Sequence, residues 1–190
     1  PHGGSNLMTI HAHKTTATFT PSPFTDMFFD DIKTLYTLAA PETGDIAVEQ
    51  TYSDTRKGET ATLNSLEYMA INGLKVVDLD TAKALPVTKR GDSSSVKLDV
   101  PITNDKQSAH LRLTGTIHDG TYRMEGDVMV FQRTVRGLRN TVILPAGWEV
   151  QSVSQSGTVG RTADGRTFVA FVNLNGENSY RVTIRAAKAK

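Results

Sequence analysis

Apolar and polar side chains alternate along much of this 190-residue chain. Val96-Lys-Leu-Asp-Val100 alternates cleanly, and Ile46-Ala-Val-Glu-Gln-Thr-Tyr52 does so in part. Between Ala109 and Ile117, Leu111, Leu113, Gly115 and Ile117 share one parity, and His110 and Arg112 share the other. A period of two is the mark of a strand with one face buried. Ile32–Leu38, Leu74–Leu79, Asp127–Thr134, Asn140–Leu144, Trp148–Val153, Arg166–Val172 and Ser179–Arg185 add β-branched and aromatic runs of strand length. A Thr-rich run from Thr9 to Thr20 reads the same way, until Pro21 and Pro23 break it. Thr60–Met69 fits either a strand or a short helix, and we read it as strand. No helical period persists. The pattern predicts an all-β chain, an antiparallel β-sandwich of roughly a dozen short strands with little helix.

The punctuation agrees. Asn72-Gly73, Asp119-Gly120, Asp164-Gly165 and Asn175-Gly176 are dipeptides that tolerate positive φ, as type I′ hairpins require. Gly165 and Gly176 are therefore expected at positive φ in short hairpin loops. Pro145-Ala-Gly147 is expected to reverse the chain between two strands, with Val142, Leu144, Trp148 and Val150 facing the core. Lys89–Ser95 is polar and rich in Gly and Ser, which suggests a linker or long surface loop. We take 1–190 as one domain, with a subdivision near 89–95 as the alternative.

Composition narrows the classes. The chain is 38% hydrophobic and 22% charged, with 15 Gly and 7 Pro, an ordinary globular balance. No apolar run reaches the roughly 18 residues of a membrane helix. The absence of cysteine removes disulfides and thiolate chemistry. A net charge of +1 gives no global case for nucleic acid. Residues 1–90 carry net −3 and residues 91–190 net +4, a mild asymmetry. The polar opening Pro1–Asn6 reads as a processed start, with no charged-then-apolar leader pattern.

Gly126–Arg133, Arg139–Trp148, Asp164-Gly-Arg166 and Phe171-Val-Asn173 together resemble the C-terminal β domain of large, mostly uncharacterised secreted bacterial proteins. Tyr52–Gly58 and Leu79-Asp-Thr81 are compatible with the same family. The resemblance implies a secreted or periplasmic β-sandwich module and transfers no catalytic residue.

Several constellations suggest chemistry. His11 and His13 lie at i and i+2, so on a strand both imidazoles face one way and reach one divalent metal, with Asp26, Asp30 or Asp31 as a third ligand. Phe28 and Phe29 beside Asp30 suit a sugar- or peptide-binding loop, and Trp148 suits a ligand platform. Each also has a structural reading: exposed histidines, a loop pinned by aromatic anchors, and a core tryptophan. Asp78 and Asp80 share a strand parity but precede a turn, where Asp serves local hydrogen bonding. Arg133, Arg136 and Arg139 recur around Gly137 and suggest either an anion site or a solvated hairpin loop. No nucleophile elbow, phosphate loop or zinc-peptidase helix motif is present. Ser or Thr with His110 or His118 remains open, because triads are recognised by geometry.

These readings lead to a non-catalytic secreted or cell-envelope module with a binding or structural role and no cofactor. Its partners would be carbohydrate or other domains of a larger protein, without nucleic acid. A metal-assisted hydrolase using His11 and His13, and a carbohydrate-binding module, are the alternatives.

Overall fold

The computed structural model describes residues 31–63, 71–90, 93–173 and 179–189. Among them fifteen strands form and no α-helix. They are β1 (Lys33–Leu38), β2 (Asp45–Asp54), β3 (Gly58–Thr62), β4 (Asn72–Asp78) and β5 (Ala84–Leu85). Then come β6 (Val87–Arg90), β7 (Ser93–Ile102), β8 (Ala109–His118), β9 (Tyr122–Glu125) and β10 (Val128–Arg136). The last are β11 (Arg139–Ile143), β12 (Trp148–Val153), β13 (Thr158–Arg161), β14 (Thr167–Val172) and β15 (Ser179–Lys188).

An eight-stranded sheet in the order β13-β14-β11-β1-β2-β8-β4-β5 spans the molecule. Its pairings are antiparallel except one: β1 runs parallel to β11, with Lys33 opposite Arg139 and Thr37 opposite Ile143. A four-stranded sheet, β12-β15-β10-β9, and a three-stranded sheet, β3-β7-β6, complete the fold.

Both smaller sheets pack on the same face of the large one. On β8 the inward residues Ala109, Leu111 and Leu113 meet the three-stranded sheet through Ala61, Val96, Leu98 and Ile102. Ile117, of the same parity, meets the four-stranded sheet through Tyr122, Met129, Phe131, Val182 and Ile184. Tyr36, Leu38, Ile46, Val48, Val142, Val169 and Phe171 complete this larger core. Each such side chain contributes about 1.5–3 kcal/mol by leaving water. Ile71 packs against both clusters. Between the clusters the inward-facing pair Thr34 and Gln50 is polar, and Gln50 Nε2 donates to Thr34 Oγ1 at 2.9 Å.

The turns use more devices than the dipeptides suggest. Gly165 has φ 82° in the loop between β13 and β14, closed by Thr162 N–H to Arg166 O at 2.9 Å. Asp164 does not share the positive φ, so this is not a type I′ turn. Nothing lies within 4 Å of a Cβ at Gly165, so backbone strain alone penalises a side chain there. Gly165→Val is expected to cost more than about 1 kcal/mol, read as a fall in melting temperature. Gly73 also has positive φ, but it lies inside β4 where the register to β8 shifts, so it makes a bulge and no hairpin. Gly120 has no positive φ; Asp119 Oδ1 instead accepts the Thr121 N–H at 2.9 Å. The unforeseen hairpin is Gly126-Asp127, where Glu125 pairs with Val128 and only the glycine is at positive φ, as a type II′ turn prefers.

One further expectation needs correction. Lys89–Ser95, read as a linker or surface loop, supplies paired strand ends: Thr88, Lys89 and Arg90 face Ser95, Ser94 and Ser93. Pro145-Ala-Gly147 turns the chain between β11 and β12, with Trp148 N–H donating to Pro145 O at 3.3 Å. It carries the chain from the large sheet to the four-stranded sheet, with Leu144 and Trp148 both buried in the core. Thr9–Thr20, Gly176 and most of Thr60–Met69 lie outside the described residues.

Candidate functional site

The residues singled out in the sequence separate into three groups. His11, His13, Asp26, Phe28, Phe29 and Asp30 lie outside the described residues. Asp31 is described and exposed at a turn, and no group of three metal-ligating side chains occurs among the described residues. Trp148 belongs to the core. It is 4% exposed, and Lys188 Nζ sits 5.9 Å from its ring centroid. A ring enclosed in this way presents no open platform to a sugar.

The arginine series is dispersed. Arg133 lies in β10, only 13% exposed in its side chain, and pairs with Asp119. Its guanidinium also lies 5.9 Å from the Tyr36 ring centroid. Thr121 Oγ1 and N–H both donate to Asp119 Oδ1. Burial works to raise the Asp119 carboxyl, but these hydrogen bonds and Arg133 outweigh it and hold the group below its ordinary range. Neither an anion site nor a solvated loop describes Arg133: its charge is already neutralised, and it anchors the β8–β9 turn to β10. Arg139, by contrast, is exposed on the outer face of the large sheet. Asp78 and Asp80 do not converge. Asp78 is 5% exposed and accepts the N–H groups of Asp80 and Thr81, as an Asp before a turn does.

Two features remain that can act on something outside the chain. The first is the outer face of the eight-stranded sheet, opposite the two cores. β14 presents Phe168, Ala170 and Val172 there; β11 presents Arg139, Thr141 and Ile143; β1 presents Lys33, Leu35 and Thr37. Phe168 stands opposite Ile143 and Gly160, and its ring atoms come within 2.6 Å of where a Cβ on Gly160 would sit. The ring thus lies over the edge strand at its glycine. Val172 is 51% exposed, and Leu35, Ile143 and Phe168 are half-buried. Towards β2 and β8 the same face turns polar, with Glu49, Thr51, Arg112 and Thr114. Among the described residues Lys33, Arg112 and Arg139 have no ion-pair partner. The described surface is therefore an apolar patch beside positive charge that no described acid pairs, with Glu49 on the same face.

The second feature is a chain of hydrogen bonds at the far end of that sheet. His110 Nδ1 lies 2.9 Å from both carboxylate oxygens of Asp80, and His110 Nε2 lies 3.2 Å from Ser108 Oγ. The motifs could not reveal it, because Asp80 is thirty residues from His110 in the chain. The readable part was Ser108 and His110 at i and i+2.

No family model matches the chain, and no curated protein sequence matches it. Solved structures do. An M1 zinc metallopeptidase from Deinococcus radiodurans aligns with a TM-score of 0.52 at 10% identity, over 82% of this chain and 41% of that chain. A mutant of a two-domain M1 zinc metallopeptidase bound to L-tryptophan aligns with a TM-score of 0.51 at 10% identity, over 80% and 41%. The likeness is one of fold. This chain spans less than half the length of those proteins.

Proposed function

We propose that this chain is a β-sandwich module of a larger polypeptide, and that a neighbouring domain of that polypeptide docks on the outer face of its eight-stranded sheet. The observation that carries the reading is the apolar patch of Leu35, Ile143, Phe168 and Val172, flanked by Lys33 and Arg139 without ion-pair partners among the described residues. A solvated sheet face is mostly polar, and a contiguous apolar patch on it marks a contact surface. Two features favour a domain as the occupant. The fold occurs within a two-domain peptidase of which this chain spans 41%. The unpaired cations also call for a surface carrying carboxylates. The secreted or cell-envelope setting stays part of the proposal, supported by the resemblance of the strand-and-turn motifs. Zinc-peptidase chemistry does not transfer from the structural neighbours at 10% identity.

The test is association in trans. The module and the separately expressed remainder of its polypeptide are mixed, and the dissociation constant is measured. We expect binding that Leu35→Asp weakens at least tenfold. Lys33→Glu with Arg139→Glu, changes at exposed positions on the outer face, should weaken it as well at an unchanged melting temperature. Absence of binding, absence of any further polypeptide, or binding unaffected by both variants overturns the proposal.

A further inference from the structure

The geometry points to Ser108 as a reactive serine, activated by His110 and oriented through Asp80, that takes unhindered carboxylic esters. The order of contacts is the one a nucleophile–base–carboxylate relay needs: serine hydroxyl on one imidazole nitrogen, carboxylate on the other. Asp80 can only accept, so His110 Nδ1 carries the proton towards it. Nε2 is then left as the acceptor for the Ser108 hydroxyl.

Three separate pieces of backbone hold these groups in place. His110 is the second residue of β8 and Ser108 immediately precedes the strand, two residues back, with its hydroxyl 3.2 Å from the imidazole. The loop before Ser108 is tied by Thr103 N–H to Gln107 Oε1 at 2.8 Å and by Lys106 N–H to Asn104 Oδ1 at 3.0 Å. Asp80 sits in the turn after β4, which buried Asp78 fixes through the N–H groups of Asp80 and Thr81. Leu79 N–H donates to His110 O at 2.7 Å, which locks that turn to the histidine's own strand. Across the sheet, Ser53 of β2 faces His110, and Arg112 is the next residue on its face of β8.

The side chains of His110 and Asp80 are 47% and 57% exposed, and Ser108 is exposed. An open site offers no enclosing walls, so the substrates it suits are esters whose acyl and leaving groups both extend into solvent. In the step proposed, Ser108 Oγ bonds to the acyl carbon and its proton passes to His110 Nε2. The carbon–oxygen bond to the leaving group breaks, and the leaving alkoxide takes that proton. Water, deprotonated by the same nitrogen, then cleaves the acyl-serine.

A fluorophosphonate tests the first half of this chemistry, because Ser108 Oγ would displace fluoride and keep the phosphonyl group. The intact chain is incubated with the probe and with p-nitrophenyl acetate, followed by peptide mass spectrometry. We expect the label on Ser108, abolished by Ser108→Ala and lowered at least tenfold by His110→Gln. Asp80→Asn should lower it and Asp80→Glu should restore most of it, at unchanged melting temperatures. A purely structural clasp would not separate those two variants by reactivity. No label on Ser108, labelling that survives His110→Gln, or equal labelling of the Asp80 variants overturns the inference.

Discussion

Trp148→Ala is expected to destabilise the protein by about 3–5 kcal/mol, the cost of a large cavity in a packed core. Trp148 begins β12, which among the described residues pairs only with β15, at the edge of the four-stranded sheet. It is 4% exposed and packs in the cluster that holds Leu144, Val169 and Ile184. Because it immediately follows the crossing from one sheet to the other, its loss also loosens the clamp between them. Denaturant unfolding measures the cost, and acrylamide quenching of the single tryptophan gives an independent reading of its enclosure. Strong quenching in the native protein, with a melting temperature unchanged by Trp148→Ala, would contradict the packing described here.

The second large effect lies at Arg133. Arg133→Ala leaves the Asp119 carboxylate, 16% exposed, without its cation. One-sided loss of a partly buried pair costs about 1–3 kcal/mol, less than for a fully buried one because water and the Thr121 hydrogen bonds still reach the carboxylate. The same pair gives a pH dependence with a definite sign. Asp119 is held below the ordinary aspartate value by the Thr121 hydrogen bonds and Arg133, against the opposing effect of burial. The unfolded chain therefore binds the proton first. The stabilisation is present above the unfolded value of about 3.9 and is lost as pH falls through the lower folded value. In urea titrations between pH 3 and 7, wild type should lose stability on acidification and Asp119→Asn should lose less. Parallel profiles would show that Asp119 does not contribute.

The strands were legible because each buries one face. The alternation over Ala109–Ile117 encodes which side of β8 is inward, and Leu111, Leu113 and Ile117 are all fully enclosed. Alternation does not name the partner. Nothing in Lys33–Leu38 or Arg139–Ile143 distinguishes a parallel neighbour from an antiparallel one, so the β1–β11 pairing was invisible. Gly165 takes the positive φ expected of it, but Gly73 and Gly120 do not make the expected hairpins, for a related reason. Asn-Gly and Asp-Gly report tolerance of positive φ, and the fold spent that tolerance on a bulge at Gly73 and left it unused at Gly120. The arginines misled because spacing in a loop-like stretch carries no information on Asp119, fourteen residues away across a turn. The Ser108–His110–Asp80 relay was half visible: the i, i+2 spacing was in the sequence, but the register that brings β4 beside β8 was not.

The parallel pairing of β1 with β11 has a consequence for how the chain is made. Antiparallel neighbours such as β9 and β10 can pair as soon as they leave the ribosome, because one tight turn joins them. β1 is translated early, yet one of its two edges has no partner until Arg139–Ile143 has emerged. Until then the large sheet lacks β11, β14 and β13, and the row from Lys33 to Thr37 is an open edge of the kind that pairs with strangers. Its closure carries the loop entropy of everything in between. Synthesis halted between β10 and β11 should therefore yield an aggregating fragment, however many strands it already holds.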